Sequence, residues 1–210
     1  MCIIAIKEKG VDFPSIERVK NMCDNNPHGF SLIFQSGNQK PFIYRTLNQD
    51  KMMKKYVELI NTHDANDTSV VIHTRIMTHG VVNVSNCHGW KSDGLIFGHN
   101  GILSVEPRDG MTDSETFFRD LFIPAYRCGG WEMGERAISA IIGTSKFFFM
   151  DNYGNIRHFG TYINGDDGIL YSNSTYLPKY QPRYRWGGMP FQRTISCGKE
   201  DDTTDFDYLF

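Results

Sequence analysis

The sequence has no long hydrophobic run, no excess of charge of one sign and no paired pattern of cysteines. No apolar segment approaches the roughly 20 residues of a membrane-spanning helix, and the apolar stretch near the N-terminus is too short for the core of a signal peptide. The formal net charge of −2 provides no strongly basic face for a nucleic acid. We therefore expect neither a membrane nor a nucleic acid among the partners of this protein.

The cysteine content argues against a disulfide-rich secreted scaffold. The cysteines are odd in number, and their spacing shows no pairs. Free thiols are typical of a reducing compartment, so we expect a cytoplasmic protein. The cysteines are Cys2, Cys23, Cys87, Cys128 and Cys197.

The length and composition indicate one globular domain followed by a short tail. With 210 residues, of which 40% are hydrophobic and 22% charged, the chain can bury a sizeable core. Near Pro178 the composition changes to an aromatic and basic segment, which is followed by an acidic end. We expect a domain over residues 2–177 and a tail over 178–210 that packs along it, with a partner-binding segment as the alternative.

The apolar pattern predicts grouped short strands and paired helices, which favours antiparallel sheets covered by helices over alternating βαβ units. Asn100-Gly101 is the strongest short turn signal, and Thr112 to Glu115 matches a capping box at a helix start. Strands are predicted over residues 2–6, 29–35, 41–45, 69–74, 95–99, 147–150, 156–159 and 169–172, and helices over 15–23, 50–62, from 112 onwards and 133–142, with a loop over 77–93.

The most informative feature is the dipeptide Met1-Cys2. Aminopeptidases remove an initiator Met before a small residue, so we expect the mature chain to begin with Cys2 and to carry a thiol and a free α-amino group on one residue. An α-amino group has a pKa of about 7.7–8.0 and can act as a base toward its own side chain. This feature is weak alone, because any cytosolic protein can have Cys at position 2.

Three further segments differ from ordinary loop sequence, and each also has a structural interpretation. Residues 73–80 read His-Thr-Arg-Ile-Met-Thr-His-Gly, and Arg75 could form a surface ion pair. Residues 99–101 read His-Asn-Gly and could form only a hairpin turn. Asp113 could serve only the N-terminus of a helix, where the dipole favours a carboxylate.

Together, in this order behind Cys2, these segments closely resemble the class II glutamine amidotransferase domain, a branch of the N-terminal nucleophile hydrolases. The resemblance covers residues 2–175, and weaker matches are residues 26–29 and 86–88. It implies an α+β fold, in which two antiparallel sheets lie between helical layers in a four-layer αββα sandwich. It also implies an enzyme that hydrolyses glutamine and needs no cofactor and no metal.

The resemblance assigns roles to individual residues. Cys2 would attack the side-chain amide of glutamine and form a glutamyl thioester, with its own amine as the proton shuttle. The Asn100 side chain and the Gly101 backbone N–H would form the oxyanion hole. Arg75 would hold the substrate α-carboxylate, and Asp113 would pair with the α-ammonium group. Thr78 and His79 complete the predicted substrate-binding set.

The sequence also departs from the family pattern. Ile3 stands where the family usually has Gly, Ile76 replaces a common aromatic residue, and Gly89 replaces a frequent Pro. Family domains usually supply ammonia to a fused synthase domain, and the residues after 175 are too few for one. Either ammonia passes to a separate synthase subunit, or the chain acts as a free-standing amidohydrolase.

Three other interpretations remain. A zinc site could use His73, His79, His88, His99, Cys87 and Asp93, but their spacing matches no familiar ligand pattern. The fold could persist as a non-catalytic interaction module. The nucleophile could act on another linear amide, although an amino-acid clamp such as Arg75 and Asp113 serves no purpose for an acyl chain.

Overall fold

The computed structural model describes residues 2–77, 82–108 and 110–179, and their strands form two antiparallel sheets. The elements in chain order are β1 (Ile3–Lys7), α1 (Ile16–Asn25), β2 (Phe30–Ser36), β3 (Phe42–Thr46), α2 (Gln49–Thr62), β4 (Thr68–Thr74), β5 (Trp90–Ser92), β6 (Leu95–Asn100), α3 (Asp113–Thr116), α4 (Ile123–Ser139), β7 (Lys146–Asp151), β8 (Ile156–Phe159), β9 (Ile163–Asn164) and β10 (Leu170–Tyr171). A π-helix, Phe117–Phe122, joins α3 to α4. Short 3₁₀ helices cover Ala65–Asp67 and Val84–Asn86.

The sheet order places β1 in the middle of the first sheet. That sheet runs β3-β2-β4-β1-β10-β9, and the second runs β5-β6-β7-β8. Since β1 is antiparallel to β4, with Ile3 opposite Thr74, the start of β1 lies beside the end of β4. Cys2 precedes β1 and Arg75 follows β4. This register therefore places the two residues, which are far apart in sequence, at neighbouring strand ends.

Alternation along the strands explains the layers, because successive side chains of a strand point to opposite faces. Ile3 and Ala5 pack in the cluster that includes α1 and α2, whereas Ile4 and Ile6 pack against Ile96 and other residues of the second sheet. A third cluster, rich in phenylalanine, joins the second sheet to the segment from α3 to α4. The predicted αββα arrangement is therefore confirmed.

The elements differ from the sequence predictions in three places. The short strands β5 and β9 were not predicted, since two or three residues carry no clear alternation. Helix α4 begins at Ile123, ten residues before the predicted start at Met133. It is kinked at Gly129 and Gly130, whose backbone angles are not helical. These two glycines also interrupt the helical pattern in the sequence.

The turn signals also require a correction. The hairpin between β5 and β6 turns at Asp93-Gly94, where both residues have positive φ, 49° and 74°. Asn100 instead ends β6, and Gly101 leads into the segment that reaches α3. The interpretation of Asn100-Gly101 as a hairpin turn is therefore wrong.

No helix in the described ranges has both the length and the apolar character that a membrane crossing requires.

Candidate active site

A cavity of about 590 Å³ opens where β1, β4 and β6 meet the start of α3. Four of the predicted site residues line it, and they come from four separate segments. Its lining consists of Cys2, Arg75, Ile76, Asn83, Asn86, His88, His99, Gly101, Ile102, Leu103, Val105, Pro107, Gly110, Met111, Thr112, Asp113 and Ser114.

Cys2 is partly buried at the start of β1. Its Sγ lies 3.6 Å from the Ile76 carbonyl oxygen, and its own carbonyl accepts a hydrogen bond of 2.6 Å from Asn173 Nδ2. Burial raises the pKa of the Cys2 thiol, while the nearby Arg75 guanidinium acts in the opposite direction. Because burial dominates, the thiol needs a base before it can attack a substrate.

Arg75 follows β4 and is only 5% exposed. Its backbone N–H donates to the Gly29 carbonyl at 2.8 Å, and its carbonyl accepts from His28 N–H at 2.9 Å. Gly29 has φ +149°, and a Cβ there would lie 2.7 Å from Cys87 Sγ, so this close pairing requires glycine. The pairing fixes the base of the Arg75 side chain at the cavity.

Asp113 is held at the N-terminus of α3. Its Oδ1 accepts from Ser114 N–H at 2.7 Å and from Ser114 Oγ at 3.1 Å, and its Oδ2 accepts from Leu103 N–H at 2.9 Å. Thr112 caps the helix by accepting from Glu115 N–H at 3.2 Å, as predicted. The Glu115 carboxylate instead pairs with Arg119 at 2.8 Å. A fixed carboxylate on a cavity wall suits a cationic ligand group.

Asn100 and Gly101 lie at the end of β6, beside the cavity. Asn100 is 3% exposed, and its Nδ2 donates to Ser172 Oγ at 2.8 Å. Gly101 has φ +150°, and a Cβ there would lie 2.2 Å from Ser145 Oγ and 2.9 Å from His99 Nε2. Glycine therefore allows the backbone to approach these side chains closely.

Three buried histidines form a stack at the cavity, and two of them, His88 and His99, belong to its lining. The rings of His73 and His88 lie 4.0 Å apart, and those of His88 and His99 lie 6.3 Å apart, both nearly parallel. His88 Nδ1 accepts from His99 N–H at 3.0 Å, and His99 Nδ1 lies 2.7 Å from Ser114 Oγ. The Ser114 hydroxyl therefore lies within hydrogen-bond distance of both His99 and Asp113.

Burial lowers the pKa of all three rings. For His73 burial is reinforced by His99 and Arg75, and its pKa falls to about 3. The pKa of His99 falls to about 4, with Asp113 acting in the opposite direction. The pKa of His88 lies well below its usual value for the same reason, burial. The stack is therefore neutral at pH 7.

The structure places the predicted site residues as follows. Cys2, Arg75, Gly101 and Asp113 line one cavity, and Asn100 lies directly beside Gly101. Thr78 and His79 lie outside the described residues. Sequence reasoning missed Ser172 and Asn173, although two small polar residues directly after a strand were a signal that could have found them.

The described residues contain no group of three or more His, Cys, Asp or Glu side chains that could hold a metal ion. The zinc interpretation named His73, His79, His88, His99, Cys87 and Asp93, of which His79 lies outside the described residues. His73, His88 and His99 do not converge on one point. Their rings are stacked face to face instead, with Nδ1 of both His88 and His99 already hydrogen-bonded.

Comparisons with known proteins point to one family. Residues 1–127 match the family model described as "Glutamine amidotransferases class-II", which covers more than half of the chain. Among curated protein sequences, none matches significantly.

Two solved structures, each with a TM-score above 0.5, share the fold. Glutamine phosphoribosylpyrophosphate amidotransferase from B. subtilis, complexed with ADP and GMP, is 13% identical with a TM-score of 0.56. An allosteric regulatory enzyme of purine biosynthesis is also 13% identical, with a TM-score of 0.58. Each match covers 84% of this chain but only 42% of the other chain. A glutamine aminotransferase class-II domain protein from Silicibacter pomeroyi is 16% identical, with a TM-score of 0.48, covering 81% of this chain and 87% of that one.

Proposed function

The chain belongs to the class II glutamine amidotransferase family, and we propose that it hydrolyses the side-chain amide of glutamine with Cys2 as the nucleophile. The products would be glutamate and ammonia. One observation carries the proposal: a thiol, a guanidinium, a close glycine backbone and a fixed carboxylate from separate segments line one cavity. These are the groups that amide hydrolysis of an amino acid requires.

The charged groups suit the α-carboxylate and the α-ammonium group of an amino acid, which are bonded to the same carbon. The planar guanidinium of Arg75 can hold an α-carboxylate through two parallel hydrogen bonds. The Asp113 carboxylate, already positioned by Leu103 and Ser114, can accept from an α-ammonium group. An acyl chain carries neither an α-carboxylate for Arg75 nor an α-ammonium group for Asp113, which disfavours another linear amide as substrate.

The nucleophile would act after removal of Met1. Because burial keeps the thiol protonated near neutral pH, the freed α-amino group, with a pKa of about 7.7–8.0, takes the thiol proton. The sulfur then forms a bond to the amide carbon, and the carbonyl electron pair moves to oxygen. The Gly101 N–H and the Asn100 amide would stabilise that oxyanion.

Collapse of this intermediate breaks the carbon–nitrogen bond. The protonated α-amino group returns its proton to the leaving nitrogen, so that ammonia departs and a glutamyl thioester remains on Cys2. Water, deprotonated by the same amine, then attacks the thioester and releases glutamate and the thiol. We propose that the ammonia passes to an acceptor on a synthase domain or subunit.

Mass spectrometry after incubation with an electrophilic glutamine analogue tests the nucleophile. We expect a single adduct on Cys2, with Met1 absent, and we expect Cys2→Ala to abolish both the adduct and glutamine turnover. Cys128→Ala is the matched control, because Cys128 is exposed and lies outside the cavity lining. Its labelling and turnover should equal those of the wild type.

Three results would contradict the proposal. They are turnover by Cys2→Ala at the wild-type rate, labelling at another cysteine, and full activity in protein that retains Met1.

A further inference from the structure

We propose that Ser172 is a positioning residue whose hydroxyl sets the orientation of the Asn100 amide and joins it to the nucleophile strand. The inference rests on the proposed function, in which Asn100 supplies an oxyanion donor. It follows from a hydrogen-bond network that connects the ends of β1, β6 and β10.

Ser172 directly follows β10 and is 3% exposed. Its Oγ accepts from the Ile4 backbone N–H at 2.8 Å, and its backbone N–H donates to the Ile4 carbonyl at 2.9 Å. The same Oγ contacts Asn100 Nδ2 at 2.8 Å. One hydroxyl therefore connects the residue two positions after Cys2 with the amide at the end of β6.

Of the two polar atoms of the Asn100 amide, only the nitrogen has a hydrogen-bond partner among the described residues. Its Nδ2 donates to Ser172, but no described residue donates to its buried Oδ1. Buried amide oxygens nearly always accept a hydrogen bond. The side chain therefore has a reason to turn.

A half-turn of the amide would let the Ser172 O–H donate to Asn100 Oδ1, because a hydroxyl can donate as well as accept. Ser172 Oγ would still accept from Ile4 N–H. The N–H groups of Nδ2 would then lie where Oδ1 lies now, with no acceptor among the described residues. A developing oxyanion would supply that acceptor.

Neighbouring contacts hold the rest of the network in place. Asn173 Nδ2 donates to the Cys2 carbonyl at 2.6 Å, and Asn173 Oδ1 accepts from Thr175 N–H at 3.0 Å. The segment after β10 thus binds the nucleophile residue through Asn173 and the oxyanion residue through Ser172. Loss of the Ser172 hydroxyl leaves the Cys2 contact of Asn173 intact.

The test compares three variants in full-length protein. In Ser172→Ala we expect kcat for glutamine to fall by about 10- to 100-fold, less than the roughly 10²- to 10³-fold loss for a missing oxyanion donor. KM should be unchanged, since Arg75 and Asp113 are unaffected. Ser172→Thr keeps the hydroxyl and should recover most of kcat. Ser174→Ala, in which an exposed serine is truncated, should match the wild type.

Two readouts separate positioning from a general structural effect. Iodoacetamide alkylates a thiol without forming an oxyanion, so Cys2 should react at the wild-type rate in Ser172→Ala. The ¹⁵N–¹H signals of the Asn100 side chain, assigned by their absence in Asn100→Asp, should move in Ser172→Ala and not in Ser174→Ala.

The outcomes distinguish this inference from the proposed function. A wild type that does not hydrolyse glutamine overturns the proposed function, while the Asn100 amide signals still report on Ser172. Unmoved amide signals, or a Ser172→Ala variant with wild-type kcat, overturn the positioning role. A parallel loss of kcat and of alkylation also overturns it, because the nucleophile itself is then disturbed.

Discussion

At the residue scale, the Asp113 carboxylate is fixed by three donors, and this arrangement limits where a substrate can bind. Two of the donors are backbone N–H groups, of Leu103 and Ser114, and the third is the Ser114 hydroxyl. We propose that the α-ammonium group of the substrate approaches the carboxylate where it stands, while the Arg75 guanidinium binds the α-carboxylate on the same carbon.

The guanidinium of Arg75 gives the first residue-scale prediction. We expect Arg75→Lys to raise KM for glutamine by roughly 10- to 100-fold, since a charged hydrogen bond is worth about 1.5–3 kcal/mol and Lys cannot reproduce the planar fork. Steady-state kinetics provide the measurement. Arg136→Lys, at an exposed ion pair with Glu132, serves as the control. An unchanged KM would exclude Arg75 as the carboxylate ligand.

Gly101 gives the second residue-scale prediction. We expect Gly101→Ala to lower the free energy of unfolding by about 2–5 kcal/mol, which combines the strain of a positive φ with overlap against Ser145. Gly143→Ala separates the two effects, because Gly143 has φ +49° but an added Cβ would meet nothing within 4 Å. Urea denaturation measures both variants. Equal losses would mean that the contact with Ser145 is unimportant.

At the element scale, the histidine stack connects the two sheets. His73 belongs to β4 of the first sheet and His99 to β6 of the second, with His88 between their rings. Protonating any of these rings would place a charge on a buried group, which is costly without a partner. The stack should therefore make the packing of the two sheets sensitive to acid.

The direction in which stability changes with pH follows from the pKa values of the rings. In the folded chain the pKa values of His73 and His99 are about 3 and 4, whereas an unfolded histidine has a pKa of about 6.5. Between these values the unfolded chain binds more protons, so stability falls as the pH falls from about 6.5 toward 4. Each such histidine lowers the free energy of unfolding by about 2 kcal/mol when the pH falls from 7 to 5.

We therefore expect His73→Gln to lose less stability between pH 7 and pH 5 than the wild type, by about 2 kcal/mol. Urea denaturation at the two pH values gives the difference. His158→Gln is the control, because His158 is exposed and should leave the wild-type difference unchanged. A His73→Gln variant with the full wild-type loss would show that His73 does not resist protonation in the folded state.

At the scale of the whole molecule, the proposed nucleophile lies at the start of a central strand. Cys2 lines the cavity while its neighbour Ile3 belongs to β1, so the strand fixes the position of Cys2. The hydrophobic clusters of the described residues fall between Ile3 and Tyr176. We accordingly propose that residues 2–177 form the amidotransferase domain. The predicted tail covers 178–210, and its residues 180–210 lie outside the described residues.

An uncleavable tag at the N-terminus should abolish glutamine turnover, because it removes the free α-amino group that serves as the base. The same tag at the C-terminus should leave turnover intact, which controls for the tag itself. Thermal unfolding of both proteins checks that the fold survives. Activity in the N-terminally tagged protein would show that another group accepts the thiol proton.

Much of the fold was predictable from local patterns. Strands such as β2 and β4 contain short groups of apolar residues, and the start of α3 is marked by the cap at Thr112. Their predicted bounds agree with the structure to within one residue. The start of α4 was not predictable, since tertiary packing of Ile123 and Phe122 overrides the two glycines that interrupt the pattern. The short strands β5 and β9 form because they pair with β6 and β10, and their own residues do not predict a strand.

The sequence by itself determined the family and the candidate nucleophile, because motif spacing and residue type are properties of the linear chain. Only the tertiary structure decided that Ser172 meets Ile4 and Asn100, which lie 168 and 72 positions away along the chain. It also decided that His73, His88 and His99 stack as neutral rings and that the Cys2 thiol is buried enough to need a base. These properties arise from the packing of two sheets against each other, and no local pattern of residues specifies which strand ends will meet.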